Sequence, residues 1–435
     1  MSDDLRDGGA GAEPVGTDGR LTDPAFLVNS FSSQVVGLLN GASGPAARLA
    51  AAVYRQSVNV HRQAGAAVRR QVLALDAARF GDRELAARIT AVPVQGEPAA
   101  RWGVRWATGT GADQRFWPAT AGHTGRVTAV ATAVLDGRPV AVTSGEDDTV
   151  RVWDLADGRP LGEPLGQSFG GQGGQGGEVG QEDWVTALAT GALDGRPVAV
   201  TGSWGAAVRV RDLRTGQPVG GPLTGHTGPV GAVATAVLDG RLLAVTGSSD
   251  GTARVWDLTS GQCVGAPLVG HTGWVGAVTT AVVQGRAVAV TGGGQGDGTV
   301  RVWDLRTGQP VGEPLTGHDG SVQAVATAVV RGRAVAVTGG GATVRVWDLA
   351  DGRSVGEPLT GHDDHVRAVA TAVVEGRPVA VTGSDDGTVR VWDLADGRQA
   401  GRELVFPDAV SRVALSPDGR IVVGFGHDVA VLAQP

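Results

Sequence analysis

Residues 361–398 read GHDDHVRAVATAVVEGRPVAVTGSDDGTVRVWDLADGR, and this stretch decides the fold because the chain repeats it from residue 122 onward. VRAVATAV, PVAVTG and VRVWD have the composition of short strands, and EGRP and SDDGT are typical of the tight turns that join them. Successive copies are mostly 44 to 47 residues apart, a period typical of four-stranded sheets that repeat around an axis. The copies with an intact start begin at Gly122, Gly225, Gly270, Gly317 and Gly361.

Two further copies are degenerate. Residues 184–203 (WVTALATGALDGRPVAVTGS) lack the Gly-His start and are followed by Arg211 where the other copies have Trp. Residues 410–433 (VSRVALSPDGRIVVGFGHDVAVLA) supply only three strands. One such sheet cannot bury both of its faces alone, so the seven copies are expected to stack against each other in a closed ring.

Gly-His followed about thirty residues later by Trp-Asp resembles the WD-repeat β-propeller family, over roughly residues 113–435. The resemblance implies an all-β, seven-bladed WD40 β-propeller, placed at 96–435 and preceded by a short α-helical segment. It also implies that an N-terminal strand completes the last blade, and the prediction for that strand is 113–121. The Gly/Gln-rich residues 166–183 are predicted to form a flexible loop between the first two blades.

The chain before the repeats has a different character. Residues 1–22 are acidic and glycine-rich and are predicted to be a disordered tail. Residues 23–95 show helical spacing and predict three or four short amphipathic helices, with Asp23 and Pro24 as the first cap. This segment resembles the helical arm before the propeller in STAND-class signalling NTPases. The sequence has no lysine and no GxxxxGK[ST] loop, so the chain itself is not expected to be an NTPase.

Four complete copies share a histidine, a threonine, an aspartate and a tryptophan at matching positions. These residue types could suggest a hydrolase triad, but one catalytic site would not occur four times. In the family that the chain resembles, the four groups form a structural hydrogen-bond chain within each blade. The predicted tetrads are His123, Thr143, Asp147 and Trp153; His226, Thr246, Asp250 and Trp256; His271, Thr291, Asp297 and Trp303; and His362, Thr382, Asp386 and Trp392.

Composition argues against several classes of function. The net charge is −7, which disfavours nucleic acid as a partner, and no apolar run is long enough to cross a membrane. A single cysteine and the absence of a signal-peptide pattern favour the cytoplasm. The GQGGQG at 171–176 matches a dinucleotide-binding pattern by letter, but no helix is predicted after it. The close pair His362 and His365 lacks a third metal ligand. No cofactor and no metal are therefore expected.

The surface that remains for function is the ring face that carries the Gly-His turns and the Asp turns, called here the Gly-His face. In the resembled family, partners most often bind there. The copies differ at these positions although their flanks are nearly identical. The candidate partner-binding residues are Arg126, Trp184, Trp204, Trp274, Ser321, His365, Arg367 and Asp385. Trp184 and Trp204 either bind the partner or repair the degenerate second blade by packing on each other or on the 166–183 loop.

The favoured interpretation is a non-catalytic scaffold, a monomeric ring that binds a protein or peptide on the Gly-His face. The alternative is a sensor or regulatory module derived from a STAND-type NTPase, whose helices dock a separate ATPase chain. The two differ in whether residues 23–90 pack on the propeller or stand free. An enzyme or lectin that uses the central channel is disfavoured, because the channel positions are mainly Ala, Thr and Val.

Overall fold

The computed structural model describes residues 16–110, 122–165 and 184–434, which form a helical segment and seven β-sheets. Asp23 caps the second helix by accepting a hydrogen bond from the Ala25 N–H (2.9 Å), as the Asp-Pro pair predicts. The helices are α1 (Thr17–Leu21), α2 (Pro24–Asn29), α3 (Ser32–Leu38), α4 (Pro45–Gln56), α5 (Val58–Gln63), α6 (Ala66–Arg79) and α7 (Arg83–Thr90), with a 3₁₀ turn at Leu39–Gly41.

The helical segment begins earlier than predicted. Helix α1 lies inside the stretch that the sequence assigned to a disordered tail, and Leu21 at its end is fully buried. Its leucine is therefore part of the helical core, and the boundary at residue 22 is wrong. Residues 1–15 of the predicted tail lie outside the described part of the chain.

Each of the first six blades contains three antiparallel strands in chain order. In blades one to three they are Val127–Leu135, Arg138–Gly145 and Val150–Asp154; Val185–Leu193, Arg196–Ser203 and Val208–Asp212; and Val230–Leu238, Arg241–Ser248 and Thr252–Asp257. In blades four to six they are Val275–Val283, Arg286–Gly293 and Val300–Asp304; Val322–Val330, Arg333–Gly340 and Thr343–Asp348; and Val366–Val374, Arg377–Ser384 and Thr388–Asp393.

The fourth, outer strand of these blades is short. Blades three and six have two-residue pieces there, Gln262–Cys263 and Leu268–Val269, and Arg398–Gln399 and Leu404–Val405. In blades one, two, four and five the same segment makes only two isolated bridges, such as Val150 with Leu165 and Trp153 with Pro160. The outer edge of these four blades is therefore paired with the third strand at only two points.

A tight turn joins the first two strands of each copy, and this turn fixes their register. In blade one, Asp136 and Gly137 both have positive φ (51° and 76°), as a type I′ hairpin turn requires. The same turn recurs at the same end of blades two to six. This end of the ring, opposite the Gly-His face, is called the hairpin face.

Blade seven closes the ring. It consists of Val410–Leu415, Ile421–Phe425 and Asp428–Ala433, and the N-terminal strand Gly103–Ala107 pairs with the last of these. The first strand of blade one contacts the first strands of both blade two and blade seven, so the circle of seven blades is complete. Closure by an N-terminal strand is thus observed, but the strand is 103–107 instead of 113–121. Residues 113–121 themselves lie outside the described residues, as does the 166–183 loop.

The core of the propeller lies between adjacent blades. Trp256 of blade three packs with Val198 and Val200 of blade two, and Trp153 packs with Val422 and Val431 of blade seven. Blades four, five and six present Trp303, Trp347 and Trp392 to their preceding neighbours in the same way. Each tryptophan therefore fills the interface between its own blade and the preceding blade. The joint between blades one and two has Arg211 at this position and lacks that ring.

The helical segment packs against the propeller. Leu73, Leu75 and Ile89 share one buried apolar cluster with Val104 and Leu432 of blade seven. Within the same contact, the Arg79 guanidinium donates to the Asp428 carboxylate at 2.9 Å. The helices are consequently fixed to the outer strands of the last blade. None of the helices in the described residues is long and apolar enough to span a membrane.

Candidate functional site

The predicted tetrad of blade one is a continuous hydrogen-bond chain. His123 Nδ1 lies 2.9 Å from Asp147 Oδ1, and His123 Nε2 lies 2.8 Å from Thr143 Oγ1. The Trp153 indole donates to the same Thr143 hydroxyl at 2.8 Å. All of these bonds are satisfied when Nδ1 carries the proton and the threonine hydroxyl donates to Nε2. The chain ties the Gly-His turn to the second and third strands of the blade.

Blades three, four and six repeat the arrangement. Their His–Asp contacts are 2.8, 3.1 and 2.9 Å, and their His–Thr contacts are 2.8, 2.7 and 2.7 Å. Burial alone would raise the pKa of Asp250, but hydrogen bonds from Thr252 and His226 lower it to about 2. Burial lowers the pKa of His226, which keeps the imidazole neutral. The tetrad is therefore a neutral histidine held between an ionised aspartate and a hydroxyl.

These tetrads cannot serve as hydrolase triads. Thr143, Thr246, Thr291 and Thr382 are fully buried. Each hydroxyl is already engaged by the histidine and the tryptophan of its own blade. A nucleophile must reach its substrate, and these hydroxyls reach only protein atoms.

Blade five has an incomplete chain. His318 Nε2 contacts Thr338 Oγ1 at 2.7 Å and Trp347 donates to the same hydroxyl, but His318 Nδ1 is buried with no hydrogen-bond partner. Burial and the charge of Arg345 lower the pKa of His318 to about 4. Gly340 borders this ring, and a Cβ there would lie 2.6 Å from His318 Nδ1. Blade five therefore keeps the histidine but loses the carboxylate that orients it.

Blade two has lost most of the chain. No histidine precedes its first strand, and Gly205 stands where blade six has Asp386. Arg211 replaces the tryptophan, and its guanidinium donates to the Gly216 carbonyl at 3.0 Å. Thr201 remains buried, and its hydroxyl lies 3.5 Å from the Arg209 carbonyl. The blade is held by its strands and their apolar side chains.

A backbone hydrogen bond pairs the two variable positions on the Gly-His face of most blades. In blade two the Trp204 N–H donates to the Trp184 carbonyl at 2.9 Å. The equivalent bonds join Glu146 to Arg126, Ser249 to Pro229, Gly294 to Trp274 and Asp385 to His365. The scaffold thus holds these two positions side by side in each of these five blades, whatever residues occupy them.

The candidate partner-binding residues all lie on this face, with different exposures. Trp204 is 49% exposed and Trp274 is 47% exposed, whereas Trp184 is only partly exposed. The rings of Trp184 and Trp204 do not form one of the aromatic pairs in the described residues. Arg126 and His365 are exposed, and Ser321, Arg367 and Asp385 are partly buried. The Ser321 hydroxyl accepts a hydrogen bond from the Gln295 N–H at 2.8 Å, so it already supports the neighbouring turn.

Blade six carries a polar cluster that the sequence did not predict. The Arg367 guanidinium donates to Asp385 Oδ2 at 2.6 Å and to Gln323 Oε1 of blade five at 2.5 Å. Asp364, His365 and Asp385 have ligand atoms all within 4.8 Å of one another, the one such group among the described residues. Asp364 binds His365 at 2.7 Å, and Asp385 binds Arg367. These carboxylates are already paired within the protein, and the group is open to water.

The central channel has a cationic side chain that was missed at the sequence level. Six blades place a buried alanine on the channel wall two residues after the first valine of the blade. These alanines are Ala129, Ala187, Ala232, Ala277, Ala324 and Ala368. Blade seven has Arg412 at this register position. Most of the other channel-lining residues are alanine and valine, as the sequence predicts, and comparing blade seven with the intact copies position by position could have found the arginine.

Comparisons with known proteins agree with this architecture. A family model described as "WD domain, G-beta repeat" matches residues 118–154, 216–257, 261–304, 308–348 and 352–393. The crystal structure of the WD40 β-propeller domain of Doa1 is similar, with a TM-score of 0.56 at 22% identity over 72% of this chain and 95% of that one. At this identity the similarity to Doa1 shows the fold alone. No curated protein sequence matches the chain.

The ring of seven sheets, with a polar tetrad inside its intact blades, defines a β-propeller. The five matched repeats assign the chain to the WD40-repeat family, and the similar propeller structure agrees in fold. The two degenerate copies, blades two and seven, lie outside the matched repeats but complete the same ring.

Proposed function

We propose that this protein is a non-catalytic interaction scaffold that binds a protein or peptide partner on its Gly-His face. The observation that carries the proposal is the exposure of two indole rings on that face, about half of the surface of Trp204 and of Trp274. Tryptophan is among the residues most enriched in binding hot spots, where it gives up this exposed apolar area on contact. The other tryptophans of the intact blades are buried between blades.

The polar groups of the same face fit a peptide-like partner. Arg126 and His365 are exposed and offer donors, and Asp385 offers an acceptor beside Arg367. A rim of aromatic anchors and separate polar groups is the usual composition of a protein-binding surface. The scaffold supplies these groups at fixed spacing because each blade holds its pair through the same backbone hydrogen bond.

The position of the helices favours the scaffold over the sensor module. The alternative needs the helical segment to dock a separate ATPase chain through an exposed apolar surface. The apolar side chains of the helices are instead buried in one cluster, in which α6 and α7 contact blade seven, and Phe31 is the only large apolar side chain of the described helical segment with substantial exposure, at 75%. We propose that the scaffold acts as a monomeric ring in the cytoplasm, where its single cysteine, Cys263, stays reduced.

Partner capture with a double variant, Trp204→Ala with Trp274→Ala, tests the proposal. Tagged protein is incubated with cell lysate and the captured proteins are identified by mass spectrometry. The matched control is Val237→Ala with Val282→Ala, which removes two side chains that are 67% and 66% exposed at the hairpin face. Both variants are first checked for an unchanged melting temperature.

We expect the tryptophan variant to lose at least one captured protein by tenfold or more while the valine variant retains it. The physical reason is that the partner would cover the exposed apolar area of each indole on the Gly-His face, whereas the two valines lie on the opposite, hairpin face. Loss of the same protein by both variants, or by neither, would contradict the assignment of the binding surface to the Gly-His face.

A further inference from the structure

The central channel is asymmetric because blade seven contributes a cationic side chain at a position where the other six blades contribute alanine. Six of the seven blades contribute a methyl group to the wall at the same level, and blade seven contributes the guanidinium of Arg412. The cavity at this level is about 150 Å³, enough for a small ion with a few waters. The long cationic side chain of Arg412 thus occupies a position that holds alanine in the other six blades.

The charge of Arg412 is not balanced. Among the described residues, Arg412 forms no ion pair, and its one hydrogen bond is the donation to the Ser411 carbonyl at 2.7 Å. Burial and the nearby charge of Arg367 lower the pKa of Arg412 to about 10. At neutral pH the side chain is still protonated, so the channel holds a positive charge that is partly removed from water.

A second cation lines the same cavity from the adjacent blade. Arg367 shares the channel wall with Arg412, and a single carboxylate, Asp385, pairs with Arg367. Gln323 contributes an amide whose oxygen accepts from Arg367. Asp385 neutralises Arg367, and Asp364 is also close enough to interact with it, whereas Arg412 has no carboxylate partner among the described residues. Burying an uncompensated charge lowers stability, and an anion in the cavity would remove that cost.

We propose that Arg412, with Arg367 beside it, binds one anionic group, a carboxylate or a phosphate, that enters the channel from the Gly-His face. Guanidinium groups bind both of these anions through paired N–H donors. The anion either diffuses in freely or is carried by an acidic side chain of the partner. In the second case the inference rests on the proposed function.

The test is a titration of the purified protein with sodium phosphate and, separately, sodium acetate at constant ionic strength. The Nε–H resonance of Arg412 in ¹⁵N-arginine-labelled protein reports occupancy, and calorimetry reports affinity. Arg412→Ala restores the alanine of the other six blades, so this variant is expected to fold. Arg353→Ala is the matched control, because it removes an equal charge from an exposed position outside the channel.

We expect saturable binding of at least one anion to wild type, at least tenfold weaker binding to Arg412→Ala, and unchanged binding to Arg353→Ala. The bound anion should raise the melting temperature of wild type and leave that of Arg412→Ala unchanged. No saturable binding of either anion, or equal binding by wild type and Arg412→Ala, would overturn the proposal.

The two anions separate the possible sources. Binding that is tenfold tighter for phosphate than for acetate indicates a free phosphate site. Comparable binding of acetate indicates a carboxylate, and acetate should then compete with captured partner for wild type. This titration contains no partner and the capture experiment contains no added anion, so the two proposals fail independently.

Discussion

Blades two and six differ in almost every residue of the tetrad yet have nearly the same strands. Their first two strands have nine and eight residues in both blades, and the third has five in blade two and six in blade six. Blade six joins His362, Thr382, Asp386 and Trp392 by hydrogen bonds, whereas blade two keeps only the threonine. The apolar strand pattern and the hairpin turns are therefore sufficient to build a blade.

The tetrad adds hydrogen bonds that hold the Gly-His turn against the second and third strands of the blade. In blade six the Asp386 carboxylate accepts from His362, from Thr388 and from the backbone of Asp363. In blade two that turn instead presents Trp204 to solvent, beside Trp184. Blade two thus lacks the hydrogen bonds of the tetrad and carries two tryptophans at its Gly-His turn, of which Trp204 is half exposed. Four experiments can break or sharpen this comparison.

Apart from removal of a buried tryptophan, which serves below as a reference, the largest effect is expected from Asp386→Ala in blade six. The change leaves His362 Nδ1 and the Thr388 hydroxyl without their acceptor, so the free energy of unfolding should fall by about 2–3 kcal/mol. Denaturant titration measures it, with Asp363→Ala as the control for an exposed carboxylate in the same region and an expected change within about 0.5 kcal/mol. Equal effects of the two changes would mean that the tetrad adds no stability beyond that of a surface charge.

Completing the chain of blade five should stabilise the protein. Replacement of residues 341–342 by the Asp-Asp-Gly sequence of 385–387, with Gly340 kept because a Cβ there would crowd the ring, gives His318 Nδ1 the carboxylate that it lacks. We expect a gain of about 1–2 kcal/mol, the value of one satisfied buried hydrogen bond to a charged group. The same graft with alanine at the second aspartate separates the effect of the carboxylate from that of loop length. A graft that gains nothing over this control would show that the missing carboxylate is not the weakness of blade five.

Acid sensitivity provides a third test, because the pKa of His318 is lowered to about 4 from the ordinary 6.5. Between these pH values the unfolded chain binds the proton more readily, so the contribution of this residue to stability is present above pH 6.5 and is lost toward pH 4. His318→Gln should reduce the slope of unfolding free energy against pH by up to about 1.4 kcal/mol per pH unit near pH 5. Urea melts of wild type and variant at several pH values measure this slope, and identical slopes would exclude a buried neutral His318.

The smallest effect is expected from Trp204→Ala in blade two. About half of this side chain is exposed and its ring makes no aromatic pair among the described residues, so unfolding free energy should change by less than about 0.5 kcal/mol. Trp153→Ala, which removes a fully buried ring, should cost about 3–5 kcal/mol in the same assay. A loss above about 2 kcal/mol for Trp204→Ala would favour the interpretation that this tryptophan repairs blade two.

The parts of the fold that could be predicted are those encoded locally. The blade unit, its hairpin turns and the Asp23 cap each follow from a few adjacent residues. The closing strand could not be located, because 103–107 and 113–121 both carry an aromatic strand-like pattern and only pairing with Asp428–Ala433 decides between them. The first helix was missed because five residues in a glycine-rich context give little periodicity, and the burial of Leu21 depends on helices that follow it.

The positions of the candidate residues within the repeat could be predicted, but the contacts among them could not. The variable positions follow from the repeat register, which also places them at one end of the ring. Arg367, Asp385 and Gln323 come from three different strands or turns, and their contact depends on how blades five and six meet. Arg412 was missed because blade seven is degenerate, although aligning Val410 with the first valine of the intact copies places Arg412 at their alanine position.

The central claim is that the repeated scaffold presents a partner-binding surface at the Gly-His face. The most direct measurement is hydrogen–deuterium exchange of the protein with and without the protein lost by the Trp204→Ala, Trp274→Ala variant. The account predicts slower exchange in the Gly-His turns around residues 204 and 274, with no change in the hairpin turns around 136 and 284. Slower exchange confined to the hairpin turns or to the helices of residues 17–90 would contradict it.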